Sequence, residues 1–349
     1  MSIAPPAQSR ETDLHRGRSV TAPGRSKVLI VALVLTAALV GVRLLSPLFV
    51  PSGLLPDRAQ DGLTLGISVL VESMPFVVLG IVFSIVVRVW LPEGLWVRVL
   101  PKSPILRRAV VSLIGMLLPV CECGNVPLAR GLMVRGLTVA ESMTFLFAAP
   151  IVNPITIITT YQAFGFSNGI LVARIVGGFF VANLLGWIFS RHPAPESLLT
   201  ARFAAECRLP AHEEHGSRWS RSVELFGREA ANLLPALFIG AVAASLVQTV
   251  VPRSTLVALG SDPVWSVVAM LALSFIISVC STVDAFFILP FASTFLPGAI
   301  VAFLVFGALI DIRMLALLRT TFTTKTLAQL LVIIVLTAAA LAWLVNIVA

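Results

Sequence analysis

The run Leu118-Pro119-Val120-Cys121-Glu122-Cys123-Gly124-Asn125-Val126-Pro127 places two thiols, a carboxylate and an amide between two prolines, inside an otherwise apolar stretch. Two prolines and a glycine are expected to break a helix there and free backbone carbonyls and amides, so the break could hold a ligand. In an extended segment alternate residues share a side, which would turn Cys121 and Cys123 toward one soft ion or electrophile. Cysteines also serve as small apolar packing groups in membrane helices. That account is adequate for a lone thiol. For Cys121 to Asn125 together, a run of polar groups at bilayer depth favours a functional one.

A second cluster, Ser278-Val279-Cys280-Ser281-Thr282-Val283-Asp284, offers one thiol, three hydroxyls and a carboxylate in another apolar run. Ser278 could simply satisfy its own helix carbonyls. Asp284 is harder to dismiss, since a carboxyl at bilayer depth costs a few kcal/mol unless protonated or paired, and it is read as a proton or cation carrier. A third pair is Ala149-Pro150-Ile151-Val152-Asn153-Pro154 and Gly307-Ala308-Leu309-Ile310-Asp311. Pro150 and Pro154 should interrupt a crossing helix with Asn153 between them, and Thr156, Thr159 and Thr160 follow on the same path. Asp311 either lines a cavity, or merely pairs with Arg313 or snorkels near the cytoplasmic end. Glu72 before Pro75 and Asn232 before Pro235 would each give a proline kink an inward polar group. Glu229 is read as pairing along its helix with Arg228 or Arg221, and Arg174 as snorkelling to an interface.

The elements that position these groups follow from composition. Of 349 residues, 58% are hydrophobic and 12% charged, with mean hydropathy +0.98, whereas soluble domains carry about 25% charged residues. The chain reads as an integral membrane protein of the all-α class. Outer-membrane barrels lack such long apolar runs and are excluded. The net charge of +8 sits in short loops between apolar runs, which marks topology rather than nucleic-acid binding. Nine apolar segments result: Val28–Leu45, Gly62–Trp90, Ala109–Val126, Val139–Gly165, Asn168–Ser190, Val223–Val251, Pro263–Val283, Pro297–Leu318 and Leu327–Ala349. The basic leader 1–27 is long for a signal peptide and lacks a clear cleavage site, so Val28–Leu45 is read as a retained, peripheral first helix. Four cysteines are too few for a disulfide scaffold. The histidines lie in the leader or the polar stretch Arg191–Arg221, where His212, His215 and Cys207 lack a fourth zinc ligand. No nucleotide-binding or serine-hydrolase motif occurs.

The segments on either side of the polar stretch resemble each other. Pro75 to Gly80 matches Pro235 to Gly240 at an offset of 160, Val120-Cys121 matches Val279-Cys280 at 159, and Phe145-Leu146 matches Phe303-Leu304 at 158, a register that sets Asn153 against Asp311. Lys and Arg counts favour seven crossings, with Ala109–Gly136 and Pro263–Phe295 as re-entrant hairpins and the N-terminus cytoplasmic. The expected architecture is a polytopic transmembrane helical bundle of two inverted repeats, each containing a broken or re-entrant hairpin. Its parts are the leader 1–27, the first helix and loop 28–61, repeat 62–190, a polar cytoplasmic linker 191–221 and repeat 222–349. Each hairpin arm is about half a membrane thick, since eleven residues from Ala109 to Pro119 rise about 16 Å.

Taken together, Pro119 to Leu132 with its Cys121-Glu122-Cys123-Gly124 core, Ala149 to Pro154, and Ser278 to Ser281 resemble the predicted permease family that includes ArsP-type organoarsenical efflux permeases. The resemblance covers roughly Gly62 to Ala349. It implies a bacterial inner-membrane permease, and for the arsenical branch export of trivalent organoarsenicals through Cys121 and Cys123, with Asn153 on the path. Glu122 departs from the small polar residue expected between the thiols in that branch, and its negative charge would either disfavour a neighbouring thiolate or prefer a cation.

The expected function is alternating-access movement of a small thiophilic solute, without catalysis or cofactor. Substrate contacts fall to Cys121, Glu122, Cys123, Gly124, Asn125, Asn153, Pro154, Cys280, Ser281 and Asp284. Proton or ion coupling falls to Asp284, Glu122, Asp311 and Glu72, and any metal ligands stay open. Its partners are the lipid bilayer and a small-molecule or metalloid substrate, with a homo-oligomer left open and no nucleic acid. The rivals are a membrane thiol-disulfide oxidoreductase using Cys121 and Cys123, whose strained C-x-C ring counts against it, and a non-transporting scaffold.

Overall fold

The computed structural model describes residues 57–92, 99–117, 121–166, 169–208, 217–250 and 263–348. The leader, the helix expected at Val28–Leu45, residues 118–120, and His212 and His215 lie outside the described residues. Among those described the chain is helical, with one isolated antiparallel bridge, Leu199 to Phe322. The helices are α1 (Asp57–Ile85), α2 (Pro104–Ile114), α3 (Glu122–Val134), α4 (Val139–Val152), α5 (Pro154–Phe164), α6 (Ile170–Ser190), α7 (Ala201–Arg208), α8 (Arg218–Val250), α9 (Pro263–Ile277), α10 (Asp284–Ile288), α11 (Pro297–Leu309), α12 (Ile312–Leu318) and α13 (Thr324–Val348). A π-helical turn, Val86–Trp90, extends α1, and another, Ala173–Gly177, lies within α6.

Six helical stretches are long and apolar enough to cross a bilayer: Gly62–Trp90, Val139–Phe164, Ile170–Ser190, Arg218–Thr249, Pro297–Leu318 and Thr324–Val348. These are the six crossings expected after Val28–Leu45. The chain is a multi-pass membrane protein. Neither α2, at 11 residues, nor α9, at 15, reaches spanning length, because about 20 residues are needed.

One order of elements runs twice through the chain. A long helix containing a proline, Pro75 in α1 and Pro235 in α8, is followed by a short helix, a break, and a crossing helix interrupted near its middle. Packing follows the same order: α2 lies on α4 as α9 lies on α11, and α4 lies on α6 as α11 lies on α13. The interrupted helices α4–α5 and α11–α12 occupy the centre, with 72% and 78% of their most apolar stretches buried against 17% for α13. Val332, Leu336, Trp343 and Ile347 on α13 are correspondingly exposed, as lipid-facing residues are.

Helix breaks differ from the proline reading. Pro150 lies inside α4, and the interruption falls at Asn153, whose extended backbone (φ −60°, ψ 128°) and side-chain oxygen, accepting from Ile155 N–H at 2.9 Å, start α5 with Pro154 at its first turn. A proline costs a helix little at its first turn, where its missing N–H has no partner to lose. Pro127 likewise lies inside α3, whose N-cap is Cys121. Its absent N–H leaves the Cys123 carbonyl without the usual helical partner.

Close helix contact depends on glycine. A Cβ on Gly80 would sit 2.1 Å from the Gly124 carbonyl oxygen, so α1 and α3 approach backbone to backbone, as small-residue helix interfaces in membranes do. Gly80→Ala should lower the unfolding midpoint of the detergent-solubilised protein by an amount equivalent to about 1–3 kcal/mol of overpacking. Gly66→Ala, whose methyl meets the Ser245 hydroxyl at 3.2 Å, should cost less in the same thermal scan.

Candidate functional site

The two breaks that follow α2 and α9 meet. In the first half, Cys121 caps α3 in an extended conformation (φ −74°, ψ 173°), which places Glu122 and Cys123 on the first turn. In the second, α9 ends at Ile277 and Ser278 takes φ 51°, a left-handed conformation that costs a non-glycine residue energy and clusters at functional sites. The chain then turns back, with the Cys280 carbonyl accepting from Val283 and Asp284 N–H.

Across this junction the Ser281 hydroxyl donates to Glu122 Oε2 at 2.9 Å, and Cys280 Sγ lies 3.8 Å from the same oxygen. The ligating atoms of Cys121, Glu122 and Cys280 all fall within 4.8 Å of one another, and the Cys123 thiol is beside that of Cys121. All four side chains are buried. The four cysteines of the chain are free thiols.

Two arginines complete the cluster. Arg313 on α12 donates through Nε and Nη2 to Asp311 Oδ2 at 3.2 and 3.1 Å, reaches Ser73 Oγ on α1 at 3.0 Å, and faces Glu122 Oε1 at 3.6 Å. Asp311 caps α12 by accepting from Met314 N–H at 2.6 Å. Arg174, from the π-helical turn of α6, grips Asp284 in a two-point pair at 2.9 and 2.7 Å, and also donates to Thr160 Oγ1 at 2.8 Å and to the Ser281 carbonyl at 3.3 Å. Ser281 therefore joins the two groups through its hydroxyl and its carbonyl. Each of the five charged side chains is at most 4% exposed. Three carboxyl groups face two guanidiniums, so with all three ionised and the thiols protonated the cluster would hold one negative charge in excess.

Of the residues singled out from sequence, the structure joins Cys121, Glu122, Cys123, Cys280 and Ser281 directly, and Asp311 and Asp284 through their arginines. Asn125 is buried and its Nδ2 lacks a hydrogen-bond partner among the described residues. Asn153 is buried at its helix break, where its side-chain oxygen caps α5. Gly124 serves the approach to Gly80. Glu72 is a correction: it is exposed among the described residues, because the inward stripe of α1 runs through Ser73, Val77, Gly80, Ile81 and Ser84, and one residue along a helix turns about 100° away.

Arg174 is a second correction. Fully buried and paired, it does not snorkel. Its place a turn or two inside an apolar segment was the signal, since an arginine there is costly without a partner. Glu229 is a third, because it does not pair along its own helix. Its two oxygens accept from Arg88 Nη1 at 2.7 Å and Arg130 Nε at 3.0 Å, while Arg228 pairs with Glu224.

The stretch read as a linker is partly docked. Thr200 N–H donates to the Thr321 carbonyl, Thr323 N–H donates to the Leu198 carbonyl, and Phe203 is buried beneath Arg130. Glu206 on α7 pairs with both Arg88 and Arg130. This second cluster balances two carboxylates against two guanidiniums.

Known proteins bear on the assignment. A family described as a predicted permease matches residues 59–347. The UPF0718 protein YcgR of Bacillus subtilis (strain 168) is 34% identical over 272 residues, covering 77% of this chain and 91% of the relative. A protein of Streptococcus mutans serotype c (strain ATCC 700610 / UA159), named as a putative two-component membrane permease complex subunit, is 32% identical over 282 residues, covering 79% and 91%. No solved structure matches. With its paired breaks, its six spanning helices and a match along almost all of the described bundle, the chain belongs to this predicted permease family.

Proposed function

We propose that this chain moves a small thiophilic solute across a bacterial inner membrane by alternating access of two inverted repeats, with its N-terminus in the cytoplasm. The observation that carries the reading is the meeting of Cys121 and Glu122 with Cys280 and Ser281, one pair from each half, in a buried cluster with one more carboxyl group than guanidiniums. A contact made of two halves is broken and remade when they rock against each other, as permeases require. The surplus carboxyl group draws a proton or a cation, and Glu122 is the one best placed to take it. Asp311 and Asp284, held by arginines, set the field around it. The balanced cluster of Arg88, Arg130, Glu206 and Glu229 acts as a closure that must part when that end opens. The name of the Streptococcus relative supports a partner subunit in the working complex.

The test is transport in proteoliposomes against a panel of metalloid, sulfur and metal solutes. Flux of at least one soft solute is expected, and Cys121→Ser should reduce it at least tenfold. An undiminished flux in that variant would remove the thiols from the path. A disulfide that cycles between Cys121 and Cys123 with bound solute would replace transport with thiol-disulfide exchange.

A further inference from the structure

We infer that Cys121, Glu122 and Cys280 form a three-ligand binding site for one soft or borderline divalent cation of the zinc and cadmium class. The inference deepens the permease reading by naming the solute class, and it rests on that reading only for the cation being cargo.

The donor set selects this class. A trivalent arsenical is satisfied by sulfur alone, whereas two thiols with a carboxylate suit a borderline metal that accepts both sulfur and oxygen. Around a tetrahedral ion, bonds of about 2.0–2.3 Å put neighbouring ligand atoms roughly 3.3–3.8 Å apart. The three atoms here already lie within 4.8 Å, so small side-chain rotations bring all three onto one ion.

The surroundings hold these donors in place. Ser281 donates to Glu122 Oε2 at 2.9 Å and Thr282 donates to Cys280 Sγ at 3.3 Å, the kind of outer contact that orients metal ligands. Glu122 Oε1 has no hydrogen bond among the described residues, leaving a buried oxygen with lone pairs to give.

Charge is also accommodated. As each sulfur–metal bond forms, its thiol gives up a proton. A divalent cation held by Cys121 and Cys280 therefore replaces two protons, and the buried net charge is the same before and after loading. Arg313 keeps Asp311 as its partner when Glu122 turns to the metal.

The test uses the purified full-length protein in detergent, titrated with Cd²⁺ or with Co²⁺ alone. A thiolate-to-metal charge-transfer band should grow and saturate at one equivalent. Cys121→Ser and Cys280→Ser should each weaken binding by more than the roughly 10–100-fold loss that an outer-shell partner causes, with the band diminished. Cys207→Ser should leave the titration unchanged. Glu122→Gln should weaken binding while the sulfur band persists. Gel filtration of each serine variant confirms its fold, and because either variant alone carries the test, loss of one to misfolding does not rescue the inference.

No band, or a band retained in both folded serine variants, overturns the site. Transport of a sulfur or metalloid solute by protein that gives no band would leave the permease standing and remove the cation. A one-equivalent band in protein that moves no solute would keep the site and remove the permease.

Discussion

Arg313→Gln should be the most damaging single substitution in the membrane core. It leaves Glu122 and Asp311, each about 1% exposed, without the guanidinium that faces both of them. Stranding buried charge in this way costs about 3–5 kcal/mol, enough to consume much of the stability of a typical domain. The expected result is loss of monodisperse protein on gel filtration, or a sharply lowered unfolding midpoint. Adding Asp311→Asn should restore most of it, because the double variant has the parent's surplus of one carboxyl group. Asparagine can also still cap α12 as Asp311 does through Met314 N–H. Arg313→Lys should be intermediate, since a lysine keeps the charge but cannot reproduce the fork that meets Asp311 and Ser73 together. A single variant as stable as the parent would mean that the two carboxylates are not held as charges by Arg313.

Glu229→Gln should have the next largest effect. Glu229 is one of two carboxylates set against Arg88 and Arg130, and both arginines are buried, at 8% and 2% exposure. Removing it leaves one guanidinium in excess, again at a cost of about 3–5 kcal/mol. Glu206→Gln should cost less, because that side chain is 28% exposed and water can compensate.

Cys207, beside Glu206 on α7, reports the loosening. Burial, with the Glu206 charge next to it, pushes its thiol up to about 11. The thiolate is the reactive form, so alkylation should be slow at neutral pH and rise about tenfold per pH unit up to that value. In Glu206→Gln, which removes the carboxylate that ties α7 to Arg88 and Arg130, α7 should detach more often and Cys207 should label faster at fixed pH. The other three thiols are each at most 3% exposed, so labelling reads this position. Unchanged labelling in the variant would show that the ion cluster does not hold α7.

Local chemistry in the amino-acid sequence carried a good part of this result. Hydropathy marked the apolar segments, and the Lys and Arg counts then separated six of the crossings from the two hairpin segments, since both signals are written in the order of residues. The offset that set Cys121 against Cys280 and Asn153 against Asp311 was legible for the same reason, since a repeat is a property of order. Helix breaks were legible only roughly. Proline marks where a helix can break, while neighbouring helices decide whether it does, and so Pro150 and Pro127 remain helical and Asn153 and Cys121 carry the breaks.

Partnership was beyond the sequence. Arg174 meets Asp284 across 110 positions and Arg88 meets Glu229 across 141, and spacing within a helix says nothing about either. The same limit put Glu229 beside the wrong arginines, turned a docked α7 into a spacer, and placed Glu72 inside when Ser73 is the inward residue. Residue order alone specified six spanning helices, the recurrence of their element order and the polar residues at the breaks. Which charges neutralise one another emerged only in the packed fold. Pairing depends on distance in three dimensions, and a buried charge accepts whichever partner the packed helices bring to it.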